Sequence, residues 1–293
     1  MQKITNPLLL KLKANQIRQD MLYMLYEAKS GHTAGPLGLV EIFVALYFNL
    51  LNHDPQNPKW DKRDRVVLSN GHVCPVLYTT LAHCGYFDKS LLKTLRKLHS
   101  PLQGHPHRGE LAGIENSSGP LGQGLSQACG MALAARLDKK EHLVFCITSD
   151  GEQQEGQTWE AVMFAAKYKI DNLIQIIDRN FIQIDGNTED IMPLGDLKQK
   201  YLAFGWEVLE LKNANKIEEV LEVLNNAISL AKQKIQKPIV VIAYTTPGKG
   251  VSIFENDYRW HGKAPTEKEL KIAIEELERE KKQLEMQLGE QNV

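Results

Sequence analysis

Two stretches of this 293-residue chain set polar residues and glycines at intervals suited to holding a charged ligand. Asp150-Gly151 follow the apolar run LVFCITS (143–149), and Asn180 comes just after a second run, LIQIID (173–178). If those runs are neighbouring parallel strands, their carboxyl ends lie side by side. Asp150 and Asn180 then offer two hard oxygens to one cation such as Mg²⁺, which takes oxygen ligands, often with phosphate and water. Gly151 lets the backbone approach a phosphate closely, and a helix opening near Gly156 aims its positive end at the same place. The competing reading is that Asp and Asn are simply caps and turn formers at strand ends. The second place is SSGPLGQG (117–124), a glycine-rich turn opening a helix of small residues. Histidines recur in polar loops, at SGH (His32), NGH (His72), GHPH (His105, His107) and WHG (His261). Such histidines are ordinarily surface or hydrogen-bonded residues, although an imidazole near its pKa suits proton transfer at neutral pH.

The helices and strands that carry these loops follow from hydrophobic periodicity. Helices are expected at 13–29, 39–51, 75–84, 126–137, 157–168, 197–204 and 216–235. Strands are expected at 65–69, 143–149, 173–178, 206–211 and 238–246. SGHTAGPLG (30–38), 98–109 and PGKG (247–250) read as loops. Strands alternating with helices predict an α/β fold, a doubly wound, mainly parallel sheet with helices on both faces. Ligands of such sheets sit outside the carboxyl ends of the strands, where the unusual loops fall. From Glu267 onward charge is dense, yet Leu270, Ile274, Leu277, Leu284 and Leu288 keep one stripe, interrupted by Lys281. This predicts a charged amphipathic helix over 267–293 beyond a domain of residues 1–266. Packing on its own domain is favoured over pairing with another chain.

Bulk properties exclude some partners. With 35 basic and 36 acidic residues, nothing points to nucleic acid or a membrane surface. No run is long and apolar enough for a membrane span, and no signal peptide is evident. Cys74, Cys84, Cys129 and Cys146 form no CxxC pair, so reduced buried thiols in the cytoplasm are expected.

The longer patterns carry a resemblance. D-G-E-x-x-E-G-x-x-x-E-A followed by I-D-R-N resembles the thiamine-diphosphate-binding motif, with Ser149 in place of the usual first glycine. SGHTAGPLG, DRVVLSNGH, GHPHRGE, SSGPLGQG and WHGKAP, in that order, are similar to the transketolase family, although Thr33-Ala34 stand where Pro-Gly is usual. The resemblance implies a two-carbon ketol transfer from a ketose phosphate to an aldose phosphate, in the pentose phosphate pathway, with the cofactor as electron sink. It implies Asp150, Asn180 and the Ile182 carbonyl as ligands of Mg²⁺, with Ca²⁺ or Mn²⁺ as substitutes. It implies Gly119, Pro120 and Leu121 lining the cofactor site, and His72 and Gly151 on the diphosphate. His261 would lie between diphosphate and substrate, His32 and His105 would face the sugar, and Glu155 would sit at a subunit contact linking two active sites. Lys249 is a weaker candidate. His53, His83, His99, His107 and His142 keep the ordinary reading. A full transketolase would be about twice as long. The resemblance therefore implies the N-terminal half of a split enzyme, working with a C-terminal subunit in an assembly of two copies of each. Another thiamine-dependent ketol or acyl transferase, or a non-catalytic module on the fold, are the alternatives.

Overall fold

The structure, a computed structural model, describes residues 3–291. In chain order its elements are α1 (Pro7–Ala28), α2 (Ala34–Gly38), α3 (Val40–Ala45), β1 (Arg65–Leu68), α4 (Cys74–Cys84), α5 (Gly124–Leu137), β2 (Val144–Ser149), α6 (Gly156–Lys167) and β3 (Leu173–Arg179). There follow β4 (Ile182–Gln183), β5 (Gly186–Asn187), α7 (Thr188–Ile191), α8 (Leu197–Ala203), β6 (Glu207–Leu211), α9 (Ile217–Lys232), β7 (Ile239–Tyr244) and α10 (Glu267–Gln291). β1, β2, β3, β7 and β6 form one parallel sheet in that spatial order, and β4 and β5 form a small antiparallel hairpin.

The inner strands β2, β3 and β7 are mainly apolar because both faces of the sheet are covered there, whereas the edge strand β6, EVLEL, is half-buried over its first four residues. Val66, Phe145, Ile147, Ile174, Ile176 and Val241 point into one core with α1, α3, α4, α9 and α10. Val67, Val144, Cys146, Ile177, Val240 and Ile242 point into the other with α5, α6 and α8. Alternate residues of each strand therefore serve opposite cores. The register places Leu68 opposite Ile147, Ser149 opposite Asp178 and Arg179 opposite Tyr244. The loops after β1, β2, β3 and β7 consequently emerge along one edge.

Some boundaries differ from the sequence expectation. The first helix begins at Pro7 rather than residue 13, because the Asn6 side chain accepts the Leu8 N–H at 2.8 Å and proline fits the first turn. The segment expected as a helix over 39–51 is α3 continued by a π-helical turn over Leu46–Leu50. Residues expected only as loop contain α2, Ala34–Gly38, all five of them buried, with Leu37 in the core. Helix α10 lays Leu270, Ala273, Leu277 and Leu284 down as buried residues, with Ile274 and Leu288 half-buried. Asn15 of α1 donates to the Leu277 carbonyl at 2.9 Å and to Glu280 at 2.7 Å, fixing the two helices together. Cys74, Cys84, Cys129 and Cys146 are free and buried, and burial pushes the thiols of Cys74, Cys84 and Cys129 up to about 12. Among the described residues no helix is long and apolar enough to cross a membrane.

Candidate active site

Asp150, at the end of β2, is buried to 1% exposure. Its Oδ1 accepts from the Gly151 N–H at 2.7 Å. Its Oδ2 accepts from Arg179 at 2.9 Å, from the Phe181 N–H at 2.8 Å and from the Thr188 hydroxyl at 3.3 Å. Burial pushes this carboxyl up, and the Arg179 guanidinium opposes that. Arg179 also bonds Glu189 at 2.5 Å and lies 4.0 Å from the Phe181 ring centre. Asn180, after β3, has its amide set by the donation of Nδ2 to Asp178 at 2.8 Å, so Oδ1 is presented; it accepts from the Ile182 N–H at 3.0 Å. Asp178 in turn accepts from the Thr245 hydroxyl. Phe181 takes φ 63°, a left-handed conformation that costs a side-chain-bearing residue about 1 kcal/mol or more. That turn is what brings its N–H to Asp150.

This donor set suits a hard cation. Asp150 Oδ1 accepts from Gly151 and Asn180 Oδ1 from Ile182, which leaves a lone pair on each oxygen. Among the described residues no three His, Cys, Asp or Glu side chains gather as a metal cluster. A metal here would be held by mixed carboxylate, amide and carbonyl oxygens, the preference of Mg²⁺ rather than of zinc.

The histidines form a second group. The rings of His32 and His72 are 5.0 Å apart, those of His32 and His261 5.4 Å, and those of His72 and His261 5.2 Å. Burial, with the neighbouring His261, Arg96 and His105 charges, pushes His32 down to about 3. Burial likewise holds His72 well below its ordinary value and lowers His261. The cluster is therefore neutral at physiological pH, each ring offering one donor and one acceptor nitrogen. His105 is more exposed, is lowered by burial and by Arg96, and lies against Gly119.

Of the other expected residues, Leu121 is half-buried and Pro120 exposed, both on the glycine-rich turn before α5. Glu155 is exposed just before α6. Lys249 donates its Nζ to Glu255 at 3.0 Å, so its charge is already paired. His53 bonds Tyr86 and the Tyr47 carbonyl, and His83 bonds Asp20, away from the cluster.

Several further residues assemble the site through bonds between loops distant in sequence. Glu152 is fully buried and accepts from the Ser69 hydroxyl, from the Gly122 N–H at 2.7 Å and from the Ser149 N–H at 3.1 Å. One carboxylate thus ties together the loops after β1 and β2 and the glycine-rich turn. The turn needs its glycines: Gly122 has φ +80°, and a Cβ at Gly124 would stand 2.4 Å from that of Ser69. Thr33, a departure from the usual proline, donates its hydroxyl to the Lys263 carbonyl at 2.5 Å. It ties the loop of His32 to the loop of His261, a bond proline has no group to make. The Gly248 N–H donates to the Ala34 carbonyl at 2.8 Å and adds the loop after β7 to the same assembly. Glu152 stood inside the matched motif, but only its burial reveals its task.

Comparison with known proteins agrees with this geometry. The family described as "Transketolase, thiamine diphosphate binding domain" matches residues 10–287. The chain is 40% identical over 276 residues to an apulose-4-phosphate transketolase subunit of Phocaeicola vulgatus, covering 94% of this chain and 96% of that one. It is 42% identical over 271 residues to the 6-deoxy-6-sulfo-D-fructose transketolase subunit SqwG of a Clostridium species, covering 92% and 97%. Transketolase from Campylobacter jejuni has a similar structure, with TM-score 0.85 and 37% identity over 94% of this chain but 43% of that one. The chain therefore spans nearly all of the subunit relatives and under half of the longer transketolase. The parallel sheet with polar loops gathered at its carboxyl edge is the α/β thiamine diphosphate-binding fold. The chain belongs to the transketolase family, as an N-terminal, thiamine diphosphate-binding subunit.

Proposed function

We propose that this chain, together with a C-terminal partner subunit, transfers a two-carbon ketol unit from a ketose phosphate to an aldose phosphate. The observation that carries the reading is the trio of neutral, half-buried imidazoles, His32, His72 and His261, on loops tied to the Asp150–Asn180 edge of the sheet. Asp150, Asn180 and the Ile182 carbonyl would hold Mg²⁺, and Gly119, Pro120, Leu121, Gly151 and His72 would line the diphosphate region. Thiamine diphosphate, when bound, supplies the electron sink for breaking and making the carbon–carbon bond. The chain's own task is to orient the sugar and to hold the protons of its hydroxyls in hydrogen bonds, for which the neutral rings of His32, His105 and His261 each offer one donor and one acceptor nitrogen.

Support for a partner comes from two of the relatives, each of them named as one subunit of a transketolase, and from Glu155, which stands exposed where the family resemblance places a subunit contact. We assign two copies of each subunit to the assembly and a reducing cytoplasm as its location, consistent with four free cysteines. Residues 1–266 form the diphosphate-binding domain in this reading. Of the segment 267–293, residues 292–293 lie outside the described residues, and α10 (Glu267–Gln291) acts as a brace on α1, since Leu277 is fully buried there.

The donor sugar is the open choice. Two similar subunits are named for apulose-4-phosphate and 6-deoxy-6-sulfo-D-fructose, so a ketose ending in phosphate or sulfonate is the class to test. A ketol-transfer assay would use xylulose 5-phosphate, a branched ketose phosphate and a sulfo-sugar as donors, with ribose 5-phosphate as acceptor. The chain is assayed alone and mixed with its candidate partner. Activity only in the mixture, and only with cofactor and Mg²⁺, is the expected result. Full activity of the chain alone would remove the partner from the proposal. No turnover with any donor would remove ketol transfer.

A further inference from the structure

Buried polar atoms normally have partners, and each exception asks for an explanation. Among the described residues ten buried side-chain atoms lack one, and five of these belong to His32, Asn70, Ser118 and Gln183, on the loops that build the site. Asn70 is fully buried with both amide atoms unpaired, so it could equally serve a donor or an acceptor. At Gln183 the orphan is Nε2, a donor, which calls for an acceptor.

The position of that donor is informative. Gln183 follows Ile182 in β4 and lies against Gly151: a Cβ built on Gly151 would be 3.5 Å from Gln183 Nε2. Gly151 is where the proposed function puts the diphosphate, and its own N–H is already donated to Asp150 Oδ1 at 2.7 Å. The nearby cation, Arg179, is held between Asp150 and Glu189. The backbone donor and the guanidinium at this point are thus both engaged, and the Gln183 amide is the adjacent N–H with no partner.

We propose that the side-chain amide of Gln183 is a hydrogen-bond donor to the diphosphate of the cofactor. The inference rests on the reading of this site as a diphosphate site. A donor facing a charged oxygen contributes more than one facing a neutral group, so its removal should weaken binding by about tenfold to a hundredfold. A carboxylate in its place should weaken binding further, because it would face the phosphate with like charge.

The test is calorimetric titration of the full chain with magnesium pyrophosphate, and separately with thiamine diphosphate in Mg²⁺. The wild type is compared with Gln183→Leu and Gln183→Glu, and thermal unfolding verifies that the hairpin variants fold. The expected result is binding by the wild type, at least tenfold weaker binding by Gln183→Leu, and weaker still by Gln183→Glu. Equal affinities across the three would overturn the role of Gln183 while leaving the diphosphate site in place. Failure of the wild type to bind either probe would overturn the diphosphate reading, and this inference with it.

Discussion

The two halves of the site are built on opposite principles. Around Asp150 the side chains are locked: the carboxylate takes four donors, Asn180 is oriented by Asp178, and Asp178 by Thr245. Around His32 the rings stand about 5 Å apart, and His32 Nδ1 has no partner among the described residues. In the proposed function the carboxylate half would hold a small cation, since its oxygens are already oriented. The imidazole half leaves hydrogen-bonding capacity for a larger ligand whose protons must move. A buried charge needs all its partners in place before anything binds, whereas an uncharged ring can wait for its partner at modest cost.

Breaking the locked half should have the largest effect. Asp150→Ala is expected to lower turnover of the reconstituted enzyme by more than about 10⁴-fold, beyond the loss of a single acid–base group. Magnesium titrations should show metal affinity falling by more than about 100-fold, the upper range for a residue that only orients a ligand. Arg179→Leu, which removes the orienting cation alone, should fall within about 10–100-fold. Equal effects of the two would erase the distinction between ligand and support.

The imidazole half should respond in rate more than in binding. His32→Ala is expected to lower kcat by about 10²–10⁴-fold while cofactor affinity, measured by calorimetry, stays near that of the wild type. A large loss of cofactor affinity instead would move His32 from proton transfer to cofactor retention.

Glu152 joins the halves and should act through stability. Glu152→Ala leaves the Ser69 hydroxyl and the Gly122 and Ser149 N–H groups without their acceptor, at about 1–3 kcal/mol for each that stays buried and unpaired. Urea unfolding should show the loss even without cofactor or partner.

A smaller effect concerns pH. His32 is held at about 3 against an ordinary 6.5. Between those values the unfolded chain takes a proton that the folded chain refuses. Its contribution to stability is intact above about 6.5 and is lost progressively as pH falls toward about 3. His72 and His261 are also depressed and act in the same direction. His32→Gln should flatten the decline of urea midpoints across that window, and an unchanged slope would place the proton uptake elsewhere. The smallest effect is expected at Met286, 65% exposed near the end of α10, where Met286→Ser should change stability by less than about 0.5 kcal/mol. A larger change would mean that this end of the helix packs on something.

Much of this was legible from residue order. Apolar runs such as 173–178 announced buried strands, and their regular alternation with helices announced a parallel sheet whose carboxyl edge would hold the loops. Asp150 and Asn180 could be paired from their positions just past two such runs. Helix ends were less legible, because the start of α1 depends on one cap at Asn6, and the coil at 34–38 depends on burial.

Residue order is enough for the class of fold and for placing Asp150 and Asn180 just past two parallel strands, since strand periodicity is a property of neighbours along the chain. It takes the folded chain to make Glu152 the buried tie and Glu155 the exposed neighbour, to let Thr33 couple the loops of His32 and His261, and to lay Gln183 against Gly151. The physical reason is distance. Residues 69, 122 and 152, or 33 and 263, meet only when the sheet brings its loops to one edge, and burial, which fixes their protonation and their partners, exists only after that meeting.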